Sequence, residues 1–210
     1  LDTAPSKKQE NVVFKKQYTD DVNDKSEILS DLLQRQKTIN AKYLYDTVGV
    51  KIFEEITRLP EYYPARAERV ILSKNAPEIV QFCGKNSVII EPGSGGSKIA
   101  PALLNTLRPN TYVPIDSSPG SLQLVVRDLG NEFPWLNIRS VCEDISQISD
   151  VPTGFPIGKR VIFFPGSTFG DMAPDLALRS LSNLRTWLAN DGGLLIGVDL
   201  HKSKSRLHAA

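Results

Sequence analysis

Val88-Ile89-Ile90-Glu91-Pro92-Gly93-Ser94-Gly95-Gly96-Ser97-Lys98 joins a short apolar run, an acidic residue and a glycine-rich turn. Ile99-Ala100-Pro101-Ala102-Leu103-Leu104 follows with helix-like character. Strand, turn, helix is the order in which an open α/β sheet brings a nucleotide-like ligand against bare backbone. Glycine lets that backbone come close, because no Cβ stands in the way.

The surrounding chain extends the pattern. Apolar runs recur at Val88–Ile90, Tyr112–Ile115, Ile138–Cys142, Arg160–Phe164 and Leu194–Val198. Helix-like segments lie between most of them, at Ile99–Leu107, Gly120–Phe133 and Ala173–Leu188. This alternation predicts βαβ units, a mostly parallel sheet and a Rossmann-like α/β core over 86–210. Right-handed crossovers place the strand C-termini at one edge. Residues 26–85 read as all-helical. Ser26 is the expected N-cap of a helix carrying Ile28, Leu29, Leu32 and Leu33. A second helix is expected over Ala41–Thr57 and a third over Arg66–Phe82, with Pro60 and Pro64 breaking the chain between them. Residues 1–25 are polar and charged, and are expected to form a loosely ordered arm.

Composition bounds the function classes. The 210 residues, 40% of them hydrophobic, suffice for one full-sized core. With 25 basic against 24 acidic residues, the net charge of +1 gives no pull toward nucleic acid or an anionic membrane. No apolar run approaches the roughly 20 residues needed to cross a bilayer. Residues 1–11 hold no apolar signal segment. Cys83 and Cys142 lie in no CxxC and read as buried thiols of a reducing, cytoplasmic protein. The chain does not begin with Met, and it is expected to be part of something longer.

The ligand is narrowed by the strand ends. A dinucleotide fingerprint wants G-x-G-x-x-G, and here Lys98 replaces the third glycine. A Walker A loop cannot be placed on the turn either. Asp116 ends the next strand, about 20 residues on, where a carboxylate can accept from a ribose hydroxyl pair; capping the following helix is the alternative. Glu143-Asp144-Ile145 ends the third strand. There Asp144 suits an adenine amine and Ile145 the ring face, a surface acid being the alternative. Nothing in this set demands a phosphate. That favours S-adenosylmethionine over NAD, because its sulfonium end carries no pyrophosphate for a helix N-terminus to neutralise. The fourth strand runs into Gly166-Ser167-Thr168-Phe169-Gly170-Asp171, a small-residue loop suited to an acceptor substrate. The alternative is an ordinary turn with Asp171 as a helix cap.

With Tyr43-Leu44-Tyr45-Asp46-Thr47-Val48-Gly49, Ile56-Thr57-Arg58-Leu59-Pro60-Glu61-Tyr62-Tyr63-Pro64-Ala65-Arg66, Gly166–Gly170 and Gly197-Val198-Asp199-Leu200 with Lys202, the chain resembles a known family. These are the S-adenosylmethionine-dependent histidine N-alpha-methyltransferases of ergothioneine biosynthesis. The resemblance implies a class I methyltransferase sheet whose final strands and substrate lobe lie beyond this chain. It implies a donor pocket of Tyr45, Gly93, Lys98, Asp116, Asp144 and Ile145. It implies an amino-acid pocket of Tyr62, Gly166 and Asp171, with the helical region as a lid and Tyr63 as packing with a hydroxyl partner. Two positions depart from the family: Asp171 replaces the usual Asn, and the usual lysine aligns with Ile99 beside Lys98. An ionised Asp can only accept hydrogen bonds and repels a substrate carboxylate. The expected reaction is in-line methyl transfer to an amine, with no metal, no covalent nucleophile and no nucleic-acid or membrane partner. The alternative is a degenerate methyltransferase-like domain that binds ligand or partners without catalysis.

Overall fold

The computed structural model describes residues 12–16, 22–95, 100–145, 151 and 154–209. The strands are β1 (Val12–Lys16), β2 (Val88–Pro92), β3 (Thr111–Asp116), β4 (Asn137–Cys142), β5 (Arg160–Phe164) and β6 (Gly193–Ile196). The helices are α1 (Val22–Leu33), α2 (Thr47–Ile56), α3 (Pro64–Lys74), α4 (Ala76–Cys83), α5 (Ala100–Leu107), α6 (Pro119–Glu132), α7 (Pro174–Trp187) and α8 (Lys204–Ala209). The sheet order is β1-β4-β3-β2-β5-β6, and every described pairing is parallel. Omitting the edge strand β1 leaves the expected Rossmann-like core. No described helix is long and apolar enough to cross a membrane.

Strand β2 is buried along its whole length. Its side chains alternate between two cores, as the two-residue period of a strand requires. Ile89 joins Leu103, Leu104 and Leu107 of α5, Leu129 of α6 and Cys83 of α4 on one face. Val88 and Ile90 join Leu184 and Trp187 of α7 on the other. Strand β5 repeats this, with Val161 and Phe163 on the first face and Ile162 and Phe164 on the second. A strand covered on both faces reads as a continuous apolar run, which is what the sequence presents.

The N-terminal part of the chain differs from expectation in four places. Val12–Lys16, inside the stretch assigned to a loose arm, is the edge strand β1, paired in register from Val12 opposite Arg139 to Phe14 opposite Val141. Val12-Val13-Phe14 is a run of good strand formers, and the edge of β4 offers it a ladder. Helix α1 starts at Val22, ahead of Ser26. The single helix expected over Arg66–Phe82 is two, α3 and α4, divided at Asn75. Pro77 falls in the first turn of α4, where its missing N–H costs nothing and where it prevents α3 from continuing.

The helix expected from Ala41 begins at Thr47 instead, after a short 3-10 turn over Ala41–Leu44. Asp46 is the reason. Its extended backbone leaves the helix, and its side chain accepts from the Val48 N–H at 3.0 Å and the Gly49 N–H at 2.7 Å. A Cβ on Gly49 would overlap the Leu44 carbonyl, so glycine allows the turn to fold back on the helix. Loss of the cap in Asp46→Ala should cost about 1 kcal/mol. Gly49→Ala should cost more, because it drives a methyl into backbone. Urea midpoints compare the two; an equal or smaller loss for Gly49→Ala would show that the Leu44 carbonyl simply moves aside.

Candidate active site

The ends of β2, β3 and β4 are tied together by backbone. The Gly93 and Ser94 N–H groups both donate to the Ile115 carbonyl, at 2.8 and 3.1 Å. The Glu143 N–H donates to the Asp116 carbonyl at 3.0 Å. Gly93 holds φ of +70°, a left-handed turn natural to glycine, and a Cβ there would lie 3.3 Å from Ile145 Cδ1. The Asp116 carboxylate accepts from the Gly95 N–H at 2.7 Å and the Ser118 N–H at 2.8 Å. A Cβ on Gly95 would stand 2.6 Å from Asp116 Oδ2, so this close approach requires glycine. Asp116 does not cap α6; Ser118 does, its Oγ accepting from the Ser121 N–H. Beneath the turn, Tyr112 donates to Glu91 at 2.5 Å, and both side chains are buried. Burial, with Glu91 next in effect, keeps the Tyr112 phenol protonated.

A second set lies on the helical region and the loop after β5. Phe53 stands between Tyr45 and Tyr62, edge to face with each at centroid distances of 5.7 and 5.8 Å. Burial raises both phenols; Tyr45 and then Asp171 add to the rise at Tyr62, and Asp171 adds to it at Tyr45. Asp171 ends a 3-10 turn over Thr168–Asp171, and it does not cap α7, whose N-cap is Ala173. Gly166 has φ of +79°. Tyr63 is half-buried and donates to Asp199 Oδ2 at 3.2 Å. Lys202 also donates to Asp199 and sits 5.2 Å from the Tyr63 ring centre. The Lys202 ammonium holds Asp199 below the usual carboxylate range, although burial opposes it. The Asp199 N–H in turn donates to Ser167 Oγ at 2.9 Å. Arg66 donates to the Leu59 carbonyl at 2.6 Å and also to the Pro60 carbonyl, bracing the turn that carries Tyr62 and Tyr63.

Comparison with known proteins identifies the family. A profile described as histidine-specific methyltransferase, SAM-dependent, matches residues 24–210. The chain belongs to this family. It is 34% identical over 186 residues to the histidine N-alpha-methyltransferases of Mycolicibacterium smegmatis and Mycobacterium tuberculosis. The match takes in 86% of this chain and 57% of each relative, so the chain spans little more than half their length. The fold is also that of magnesium protoporphyrin IX methyltransferase from Synechocystis, with a TM-score of 0.52 at 11% identity over 73% of this chain and 74% of that one. Gly93, Asp116, Asp144 and Ile145 lie at or just beyond the C-terminal ends of β2, β3 and β4 in this sheet.

The structure thus brings together Gly93, Asp116, Asp144 and Ile145 on one side and Tyr45, Tyr62 and Asp171 on the other. Lys98 lies outside the described residues. Glu68 on α3 was not anticipated: its carboxylate accepts the Gly166 N–H at 2.9 Å. A signal existed, because Glu68 shares a helix face with Ala65 and Leu72, both buried. A charge on the buried stripe of a helix needs a partner.

Asp116 is raised above its ordinary value, chiefly by burial, with the Asp144 charge adding to that and the two backbone N–H groups opposing it. A carboxyl raised on folding contributes stability below its unfolded value of about 3.9 and loses it as pH rises through the folded value. Ionised Asp116 is therefore a net burden on the fold at neutral pH, tolerated at a strand end. Asp144→Asn should move the Asp116 titration down, as read by carbon NMR of the carboxyl; an unmoved or raised titration would mean the two charges do not face each other.

Proposed function

We propose that the protein transfers a methyl group from S-adenosylmethionine to the α-amino group of histidine, or of a related amino acid or amine. The reading rests on one observation: a chain matched over residues 24–210 by the histidine-specific methyltransferase profile carries the strand-end set of Gly93, Asp116, Asp144 and Ile145 together with the phenol pair Tyr45 and Tyr62. The activity named for the two mycobacterial relatives supports the histidine assignment.

The residues fit the donor. Asp116 receives two backbone N–H groups. A carboxylate has about four lone-pair sites, so it can still accept from two ribose hydroxyls. Asp144 would take the adenine amine and Ile145 would cover the ring. Gly93 and Gly95 would let the backbone meet the donor without a side chain between. Tyr45 would close over it from the helical region, and Lys98 would reach its carboxylate. When bound, the donor supplies a methyl group carried on a sulfonium sulfur. The chain's own part is to align the acceptor and exclude water, which accounts for most of the acceleration in such a transfer. Tyr62 would orient the acceptor near Gly166. Its phenol is raised, so at neutral pH it stays protonated and can donate a hydrogen bond. Asp171 gives a second reading its footing. A carboxylate there disfavours a free amino-acid carboxylate, which points to an amine acceptor or to ligand binding without turnover.

Calorimetry with the full-length protein tests the donor site. S-adenosylmethionine should bind, and Asp116→Ala should weaken it by about tenfold or more. No binding by the unmutated protein would sink the proposal. Labelled donor offered with a panel of amino acids and amines tests the acceptor. Methylated histidine is the expected product, and Asp171→Asn should increase the preference for acceptors that carry a carboxylate. Donor binding without transfer to any member of the panel would favour the non-catalytic reading, and an unchanged preference would clear Asp171 of any part in selection.

A further inference from the structure

Three parts of the chain meet at one carboxylate. Glu68 projects from α3, four residues after the Pro64 that opens the helix. Its two oxygens lie 3.1 and 2.9 Å from the Gly166 nitrogen, whose N–H they accept. Gly197, just past β6, faces the same carboxylate; a Cβ there would overlap Glu68 Oε1 and lie 3.5 Å from the Gly166 nitrogen. The Gly197 N–H donates to the Phe164 carbonyl at 2.9 Å, so that position is held by the sheet and cannot easily retreat. The notch left by glycine at 197 is therefore the space that the Glu68 carboxylate fills.

We infer that Glu68 is a positioning residue that fastens the helical region to the acceptor loop. The inference rests on the proposed role of Gly166–Asp171 in holding the acceptor. Helix α3 begins directly after the Tyr62-Tyr63 pair. A tie from α3 to Gly166 therefore sets the distance between Tyr62 and the loop that ends in Asp171. A hydrogen bond with an ionised acceptor is about twice as strong as a neutral one and shorter, which suits a tie that must fix a spacing. Burial raises the Glu68 carboxyl while the Gly166 N–H opposes that shift, and the Glu68 charge also acts on the Tyr62 phenol. Without Glu68, the Gly166 N–H turns to water and the loop loses its direct tie to α3. Glu68 touches neither reacting atom in this scheme; it acts through Gly166 and Tyr62.

Two readouts separate this inference from the proposed activity. The first is amide exchange at Gly166 in the full-length protein. Protection should fall by about tenfold or more in Glu68→Ala, and most of it should return in Glu68→Gln, which keeps an acceptor oxygen at the same reach. The second is kinetic. Glu68→Ala should raise KM for the acceptor by about tenfold while calorimetric affinity for S-adenosylmethionine stays unchanged, and Glu68→Gln should restore KM. Gly197→Ala should reproduce the Glu68→Ala defect by displacing the carboxylate, yet add little when Glu68 is already alanine. Unaltered Gly166 protection in Glu68→Ala overturns the inference. So does a Glu68→Gln variant as impaired as the alanine one, or full additivity with Gly197→Ala. If the unmutated protein transfers no methyl group at all, the proposed function fails while amide exchange still decides the tie.

Discussion

Strand β2 is buried on both faces, and that constraint organises the molecule. Val88, Ile89 and Ile90 have no exposure, so each must meet apolar partners above or below the sheet. Five helices supply them: α3, α4, α5 and α6 on one side and α7 on the other. Core side chains then occupy both faces of β2, which leaves a ligand no approach there. The groups that can address one are pushed to the C-terminal ends of the strands, where the ladder stops and backbone N–H groups face outward. Gly93, Asp116 and Asp144 stand there because the apolar runs before them end there.

The second consequence concerns the helical region. Its helices α3 and α4 reach the core through Leu72, Ile79 and Cys83, but several large apolar side chains of α1 and α2 remain exposed, among them Leu33, Val48 and Ile52. Its alignment with the strand ends therefore leans on polar ties. Tyr63 to Asp199, Asp199 to Ser167 and Glu68 to Gly166 join three separate segments across the mouth of the sheet. Exposed pairs of this kind contribute little stability individually. Their value lies in fixing geometry between parts that apolar packing leaves loosely related.

The sheet was legible because its strands are short, apolar and regularly separated by helices. That Asp116 and Asp144 are neighbours was legible for the same reason: parallel topology forces successive strand ends together. The resemblance singled out Tyr45, Tyr62 and Gly166, and their contacts could not be read from it. What escaped was whatever depended on distant partners. Strand β1 exists because β4 offers an edge, and nothing in Val12–Lys16 alone names that edge. The division at Asn75 was hidden because the apolar period runs on through Leu72, Ile79 and Cys83, all of which are buried. Glu68 was passed over because a charged helical residue ordinarily faces water, and its partners lie on segments far along the chain. Asp171 was expected to serve as a cap if it did anything structural, but the turn ends before α7 and leaves its charge near two phenols.

Arg66 gives the tyrosine turn a property that its own residues lack. The guanidinium holds the Leu59 and Pro60 carbonyls, while Pro60 and Pro64 restrict the backbone on either side. Such a segment has little conformational freedom left to surrender. If Tyr62 receives an acceptor as proposed, that acceptor would meet a surface already ordered, with the entropy of arranging it settled during folding. On the proposed reading, discrimination among acceptors would then depend on a few polar groups of fixed direction, and a single change of character among them, such as a carboxylate in place of an amide, would have nowhere to be absorbed.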